Sequence, residues 1–165
     1  TPVGVDRKYL AEEDIVLIRE GRRERRKEPS RAVRLHQTIY REHPEIGAVI
    51  TAQCPSATAF SVTGQKLDTR SIPESYLVLR DIPLVPYDEQ FGEGESLSAR
   101  LGEQTPVVLL QNDAVLTTGR DLPQAFDRLE VAEFSAHALI NTEPIGELVP
   151  IGDEALAELK AKFLL

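Results

Sequence analysis

The sequence predicts one layered domain of the α/β or α+β type, and three observations support this. The chain has 165 residues, which is the length of one ordinary domain. Apolar runs of strand length occur between segments with helical periodicity. Two β-rich runs, 106–111 and 114–118, flank a two-residue Asn-Asp loop and predict an antiparallel hairpin. Helices and strands that mix in this way form a layered domain.

The first elements are a short strand and a helix. Residues 15–18 are an unbroken apolar run and predict the strand. Pro29 and Ser30 predict the start of the helix, with Ser30 as its N-cap. His36 falls on the apolar face of this helix, so we expect it to pack in the core. Pro44 predicts the helix end.

The middle of the chain predicts three strands and a helix. The apolar run 47–53 is typical of a buried strand. Pro55 fits the first turn of a helix that Gly64 would close. Residues 76–79 and 82–85 are two further strand-like pieces.

Three more helices are predicted toward the end of the chain. Residues 95–101 predict a short helix. Asp121 is placed to cap a long helix whose apolar residues include Phe126 and Phe134. The pattern over 153–165 predicts a last, amphipathic helix.

Composition excludes several classes of function. A net charge of −8 disfavours bulk electrostatic binding to nucleic acid or anionic lipid, and no apolar run approaches the roughly 20 residues of a membrane span. The single cysteine, Cys54, excludes an intrachain disulfide framework, and three histidines are few for a His-rich metal site. The opening residues lack a secretory signal, so we expect a cytoplasmic protein. A start at Thr1 without any methionine suggests a processed or truncated chain.

Several motifs follow one another in a particular order. They are Pro29-Ser30, Arg34-Leu35-His36, Gly47-Ala48-Val49, and the segments 82–87, 109–112 and 119–122. Together they resemble the class II aldolase/adducin family over nearly the whole chain. The resemblance implies a three-layer α-β-α fold with a mainly antiparallel central sheet flanked by helices. It also implies that residues 1–165 form a single domain without the N-terminal part of the family domain.

The resemblance also implies a chemistry. Catalytic members of the family are zinc enzymes that cleave or form carbon–carbon bonds in phosphorylated sugars, whereas adducin has the fold without the activity. In the enzymes, three histidines hold Zn²⁺ with an open position, where the ion stabilises an enediolate as a Lewis acid. A glutamate moves the proton.

This sequence departs from that pattern at each functional position. Thr51-Ala52-Gln53 stands where the family has His-x-His, and Asp113 stands at the third ligand position. The catalytic glutamate corresponds to Ala32, which cannot transfer a proton. No imidazole or thiolate remains at these positions, so we expect no zinc cofactor and no catalytic residue.

Part of a phosphate cradle remains. Gly4 is retained, but Val3 replaces a hydroxyl residue; Ser30 is retained, and Arg31 replaces a second serine. Each candidate also has a structural interpretation: Asp113 as a turn residue, the strand residues as polar contacts to a neighbouring subunit, Arg31 as a solvated side chain. The candidate residues of a vestigial substrate-binding pocket are Gly4, Ser30, Arg31, Thr51, Gln53 and Asp113.

These departures predict a pseudoenzyme with a binding or assembly role. The alternative is a sugar-phosphate aldolase (an aldehyde-lyase), or an epimerase or dehydratase of carbohydrate metabolism, that uses a remodelled site. We expect a small anionic or sugar-phosphate ligand and no nucleic-acid or membrane partner. We also expect a homo-oligomer, with a tetramer favoured, whose contacts include Phe60, Phe91 and the apolar residues 163–165.

Overall fold

The computed structural model describes residues 1–24, 27–90 and 92–163. A four-stranded sheet lies at its centre in the order β3-β6-β5-β4, next to a small β1-β2 hairpin. Strand β6 pairs antiparallel with β3 and β5, while β4 pairs parallel with β5. The expected mainly antiparallel sheet is therefore confirmed. The strands are β1 (Ile18–Arg19), β2 (Arg22–Arg23), β3 (Ala48–Ala52), β4 (Leu84–Val85), β5 (Val107–Leu110) and β6 (Ala114–Gly119).

Helices cover both faces of this sheet. Helices α2, α3 and α5 contribute to one hydrophobic core, and α1 and α4 contribute to the other. Helix α6 packs beside α3. The helices are α1 (Val33–Glu42), α2 (Pro55–Thr63), α3 (Pro73–Leu79), α4 (Glu95–Ser98), α5 (Leu122–Thr142) and α6 (Asp153–Phe163).

The central strands are apolar at consecutive positions because both of their faces are buried. Val107, Leu109 and Val115 pack into the core beneath α2, α3 and α5. Val108 and Leu110 point the other way, into the core beneath α1 and α4. Alternation of side chains along a strand thus supplies two cores from one continuous apolar run. This arrangement confirms the three-layer α-β-α fold.

Several local predictions are also confirmed. Gly64 ends α2 with a φ of 68°, a conformation that glycine adopts without a steric penalty. Asp121 caps α5, and its Oδ1 accepts a hydrogen bond from the backbone N–H of Gln124 at 2.8 Å. The strand predicted over 47–53 corresponds to β3.

The strand predicted over residues 76–79 is wrong. This segment lies in α3, which begins with Pro73 in its first turn. Tyr76 and Leu79 are both buried, as the three-residue spacing of a helix face requires. Four β-rich residues taken alone favoured a strand, whereas the preceding proline and the helical spacing decide the structure.

Other elements are shorter than predicted. Of the run 15–18, only Ile18 enters a strand, and Ile15 and Leu17 are exposed. Helix α4 ends at Ser98, before residue 101. Strand β1 has two residues, Ile18 and Arg19, which pair with Arg23 and Arg22.

The apolar residues proposed for subunit contacts have different surroundings. Phe60 packs partly buried against the core of its own chain. Phe163 is 65% exposed. Phe91, Leu164 and Leu165 lie outside the described residues. Among the described helices, none combines the length and apolarity needed to cross a bilayer.

Candidate functional site

The end of β3 meets the loop between β5 and β6. Antiparallel pairing places Ala52 opposite Val115, so Gln53 emerges beside this loop. Nε2 of Gln53 donates a hydrogen bond to Oδ1 of Asp113 at 3.4 Å. The structure therefore brings together two of the six predicted pocket residues that are 60 positions apart in sequence.

The loop that carries Asp113 is longer by one residue than predicted. Leu110 pairs with Ala114, which leaves the three residues 111–113 in the turn. Asn112 has a φ of 58°, and the backbone N–H of Asp113 donates to the carbonyl of Leu110 at 3.0 Å. Asparagine tolerates this left-handed conformation. The turn therefore places the Asp113 carboxylate at the edge of the sheet where β3 ends.

Thr51 is paired with a histidine from the first helix. Its Oγ1 lies 3.0 Å from Nε2 of His36 and shares a hydrogen bond with it. Burial lowers the pKa of His36 to about 4, so the imidazole is neutral at pH 7. The histidine expected in the core is thus partly buried but also forms a polar contact at the candidate site.

Ala32 lies one helical turn before His36. The backbone N–H of His36 donates to the carbonyl of Ala32 at 3.0 Å, so the two residues share one face of α1. Ala32, rather than Ser30, is the N-cap residue of α1. The predicted cap is wrong because Oγ of Ser30 accepts from the N–H of Ala32 at 3.3 Å in a turn that precedes the helix. Ala32, which the resemblance places at the position of the family's proton carrier, has only a methyl side chain.

Gly4, Ser30 and Arg31 line one cavity of about 400 Å³. The chain start pairs with the segment before α1, because the N–H of Ser30 donates to the carbonyl of Thr1 at 2.9 Å. Arg7 also lines this cavity and was missed from the sequence, although it lies only three residues after Gly4. Two guanidinium groups and a serine give the cavity the chemistry of an anion site.

The cavity and the strand-end pairs are separate polar groups. In the described residues, no hydrogen bond or ion pair joins Arg7 or Arg31 to Gln53 or Asp113. The chain links them through α1, which starts beside the cavity and carries His36 to Thr51. The six residues predicted as one pocket thus lie in three places: Gln53 with Asp113, Thr51 with His36, and the other three around one cavity.

Thr51, Gln53 and Asp113, which the resemblance places at the three ligand positions, do not fit zinc. They offer a hydroxyl, an amide and one carboxylate, and the amide N–H of Gln53 is directed to Asp113. Zinc sites in proteins are built mainly from imidazole and thiolate, with carboxylates as further ligands. Within the described parts of the chain, no three His, Cys, Asp or Glu side chains cluster closely enough to hold a metal ion.

A carboxylate and a histidine from α5 meet the start of α2. Glu133 accepts hydrogen bonds from the backbone N–H groups of Ser56 and Ala57, both at 2.9 Å. Nδ1 of His137 lies 3.4 Å from Oγ of Ser56. Burial, followed by the charge of Glu133, raises the pKa of Cys54, so its thiol stays protonated. This group anchors α2 and does not create a nucleophile.

Comparison with known proteins agrees with the fold. The model of the class II aldolase and adducin N-terminal domain matches residues 1–140 of the chain. A solved structure of an L-fuculose 1-phosphate aldolase superposes with a TM-score of 0.81 at 25% identity, covering 100% of this chain and 79% of that one.

Curated relatives carry the same kind of name. The L-fuculose phosphate aldolase of Methanococcus vannielii is 30% identical over 133 residues, which is 81% of this chain and 72% of that protein. The L-fuculose phosphate aldolase of Escherichia coli strain K12 is 30% identical over 173 aligned residues, covering 99% of this chain and 77% of that protein.

Proposed function

The chain belongs to the class II aldolase and adducin family, and we propose that it is a non-catalytic member with a binding or assembly role. One observation carries this proposal. The side chains at the former ligand positions are engaged with protein groups, Gln53 with Asp113 and Thr51 with His36. Together with the methyl group of Ala32, they supply neither a Lewis acid nor a proton carrier.

The proposed ligand is a small anion or a sugar phosphate. The relatives are named for a phosphorylated sugar. In this chain the cavity lined by Arg7, Ser30 and Arg31 offers two cations and a hydroxyl for a phosphoryl group. We further propose that residues 1–165 form a single domain that acts as a cytoplasmic homo-oligomer.

A retro-aldol assay tests the loss of catalysis. The purified protein is incubated with L-fuculose 1-phosphate and zinc, and release of aldehyde is measured beside an authentic family aldolase. We expect no turnover above the buffer rate, because enzymes of this kind depend on a metal and a base for most of an acceleration of at least about 10⁶-fold. Turnover that a chelator abolishes would overturn the proposal and favour an aldolase with a remodelled site.

Binding is tested separately in the same preparation. Titration with L-fuculose 1-phosphate should release heat in the parent protein, and the signal should weaken about tenfold in Arg31→Gln. Arg34→Gln is the matched control, since Arg34 lies on the solvent side of α1 and pairs with Glu93 at 2.9 Å. An equal affinity in Arg31→Gln and Arg34→Gln would contradict the assignment of this cavity.

A further inference from the structure

A second cavity, of about 440 Å³, lies at the other end of the sheet. Glu45 and Ile46, just before β3, and Thr118 and Gly119, at the end of β6, contribute to its wall. The candidate site described above follows the end of β3, and this five-residue strand spans about 16 Å. The second cavity also shares no lining residue with the cavity of Gly4, Ser30 and Arg31, so the two cavities are different places on the molecule.

Three arginines from separate elements converge on this cavity, which we call the arginine cavity. Arg80 follows α3, Arg120 follows β6, and Arg128 lies on α5. Their positive charges act on one another, since those of Arg80 and Arg120 both lower the pKa of Arg128 after burial, the larger cause. Cations that converge in this way repel one another unless an anion lies between them.

Arg80 is held in a strained position with an unused donor. Its φ of 57° and ψ of −141° are unusual for a residue other than glycine. Two hydrogen bonds fix this backbone: the Arg80 N–H donates to Tyr76 at 3.1 Å, and its carbonyl accepts from Thr69 Oγ1 at 2.7 Å. Nη1 of Arg80 is buried and has no hydrogen-bond partner among the described residues. A buried cationic donor without an acceptor is costly.

The other two arginines leave donors available. Nη1 of Arg128 donates to the carbonyl of Thr118 at 2.7 Å, which fixes the side chain against the sheet. Arg120 is mostly exposed, and its Nε lies 3.5 Å from a carboxylate oxygen of Asp121. In the described residues, no ion pair within 4.0 Å joins Arg80 or Arg128 to an acid.

The acids in the wall do not neutralise the half-buried arginines Arg80 and Arg128. Glu45 is exposed, and its Oε1 lies 3.3 Å from Nδ1 of His43. Glu103 is also exposed, at the edge of the cavity. Both carboxylates remain close to solvent, whereas Nη1 of Arg80 is fully covered.

We propose that the arginine cavity is a second anion-binding site, which takes a small, multiply charged anion such as a phosphate ester or a polycarboxylate. The anion lies among the guanidinium groups of Arg80 and Arg128 at the inner wall, with Arg120 on the solvent side. Guanidinium groups bind such oxyanions through paired N–H donors. This site goes beyond the proposed function, because it shares no residue with the cavity of Gly4, Ser30 and Arg31.

Thermal unfolding with added anion tests the site. Inorganic phosphate and citrate are the two probes, each compared with sodium chloride at equal ionic strength, and affinity is taken from the concentration dependence of the melting temperature. We expect both probes to raise the melting temperature of the parent protein. Arg80→Gln should bind at least about tenfold more weakly. Without anion this variant should melt no lower than the parent, because it removes a covered donor that has no hydrogen-bond partner in the described residues.

Matched variants separate this site from the other cavity. Arg34→Gln changes a solvent-exposed arginine and should respond like the parent. Arg31→Gln weakens phosphate binding at the other cavity and so serves as the background: in it a response should remain, and adding Arg80→Gln or Arg128→Gln should remove that response. The proposal is overturned if neither probe protects the parent, if Arg80→Gln is protected like the parent, or if only Arg31→Gln loses protection.

Discussion

Nε2 of Gln53 donates a hydrogen bond to Oδ1 of Asp113 at 3.4 Å and so joins the end of β3 to the β5–β6 loop. The bond lies where the family's zinc enzymes, by resemblance, place ligands from these same two segments. An amide–carboxylate contact satisfies both groups without a metal ion. Under the proposed function these are two former ligand positions, so substitution of Gln53 and Asp113 is a direct test of the proposed loss of the metal site.

We expect the purified protein to bind no stoichiometric zinc after equilibration with micromolar Zn²⁺. The hydroxyl, amide and single carboxylate of Thr51, Gln53 and Asp113 make a poor zinc donor set. Metal analysis after gel filtration measures this directly. The triple variant Thr51→His, Gln53→His, Asp113→His is the positive comparison. One zinc per parent chain that is lost in Asp113→Ala would contradict the prediction.

Restoring the proton carrier alone should not restore an enzyme. Ala32→Glu places a carboxylate on the face of α1 that also carries His36, but the metal position stays unfavourable. We expect this variant to remain at the buffer rate in the retro-aldol assay with L-fuculose 1-phosphate, and its folding is checked by circular dichroism. Turnover in Ala32→Glu without any added histidine would show that the remaining site is closer to catalysis than we propose.

We expect His36 to make the folded protein less stable as the pH is lowered below about 6.5. Its pKa is about 4 in the folded chain, whereas the ordinary pKa of a histidine is about 6.5, so the unfolded chain takes up the proton first as the pH falls. The loss begins near pH 6.5, reaches about 2 kcal/mol by pH 5 and is complete below pH 4.

Melting temperatures at pH 7.5 and 5 check this prediction in the parent and in His36→Gln. The parent should lose about 4–8 °C through this residue. His36→Gln retains a polar partner for Thr51 but has no group that titrates, so its melting temperature should fall by correspondingly less. An equal fall in the two proteins would show that other groups cause the acid sensitivity.

Removing the carboxylate that caps α2 should destabilise the fold. Glu133 accepts from the backbone N–H groups of Ser56 and Ala57, so Glu133→Ala leaves two partly buried donors without their acceptor. We expect a loss of about 1–3 kcal/mol in the free energy of unfolding, measured by urea titration. Glu130→Ala changes an exposed carboxylate on the same helix and should have almost no effect. Equal losses would contradict the capping role.

Sequence patterns predicted the elements whose signals are local. Pro55 and Gly64 bracket α2, and Asp121 caps α5, because each residue acts on its own backbone. The strand predicted over 76–79 was wrong because residues with a high strand propensity are also found on the buried face of a helix, and this segment lies in α3. Strand order depends on contacts between residues that are distant in sequence, so local patterns do not predict it. The layer arrangement was therefore predicted from the family resemblance.

The candidate site was predicted only in part, for the same reason. Position along the chain identified Gln53 and Asp113, but their hydrogen bond depends on the β3–β6 register and on a three-residue loop. His36 was assigned to the core from its helix face, and only the tertiary structure brings it to Thr51. Arg80 carried no signal in sequence, because its strained φ and its unpaired donor are properties of the folded chain.

The last prediction concerns assembly. The start of α5 exposes apolar side chains, with Leu122 63% exposed and Phe126 50% exposed one turn later. Such neighbouring apolar groups are typical of a surface that a partner covers. We expect a homo-oligomer, because identical chains can close into a ring through one repeated contact. The family resemblance favours a tetramer.

Light scattering coupled to gel filtration measures the assembly. The parent protein should have a mass that is a multiple of 18.3 kDa, and about four times this value for a tetramer. Phe126→Glu places a charge in the apolar contact and should shift the population toward smaller species, since an unpaired charge is costly to bury. Glu130→Lys, on an exposed polar position of α5, is the control and should leave the mass unchanged.

A parent protein that runs as an 18.3 kDa monomer at micromolar concentration would refute the prediction. If Phe126→Glu leaves the oligomer intact, the subunit contact does not include the start of α5.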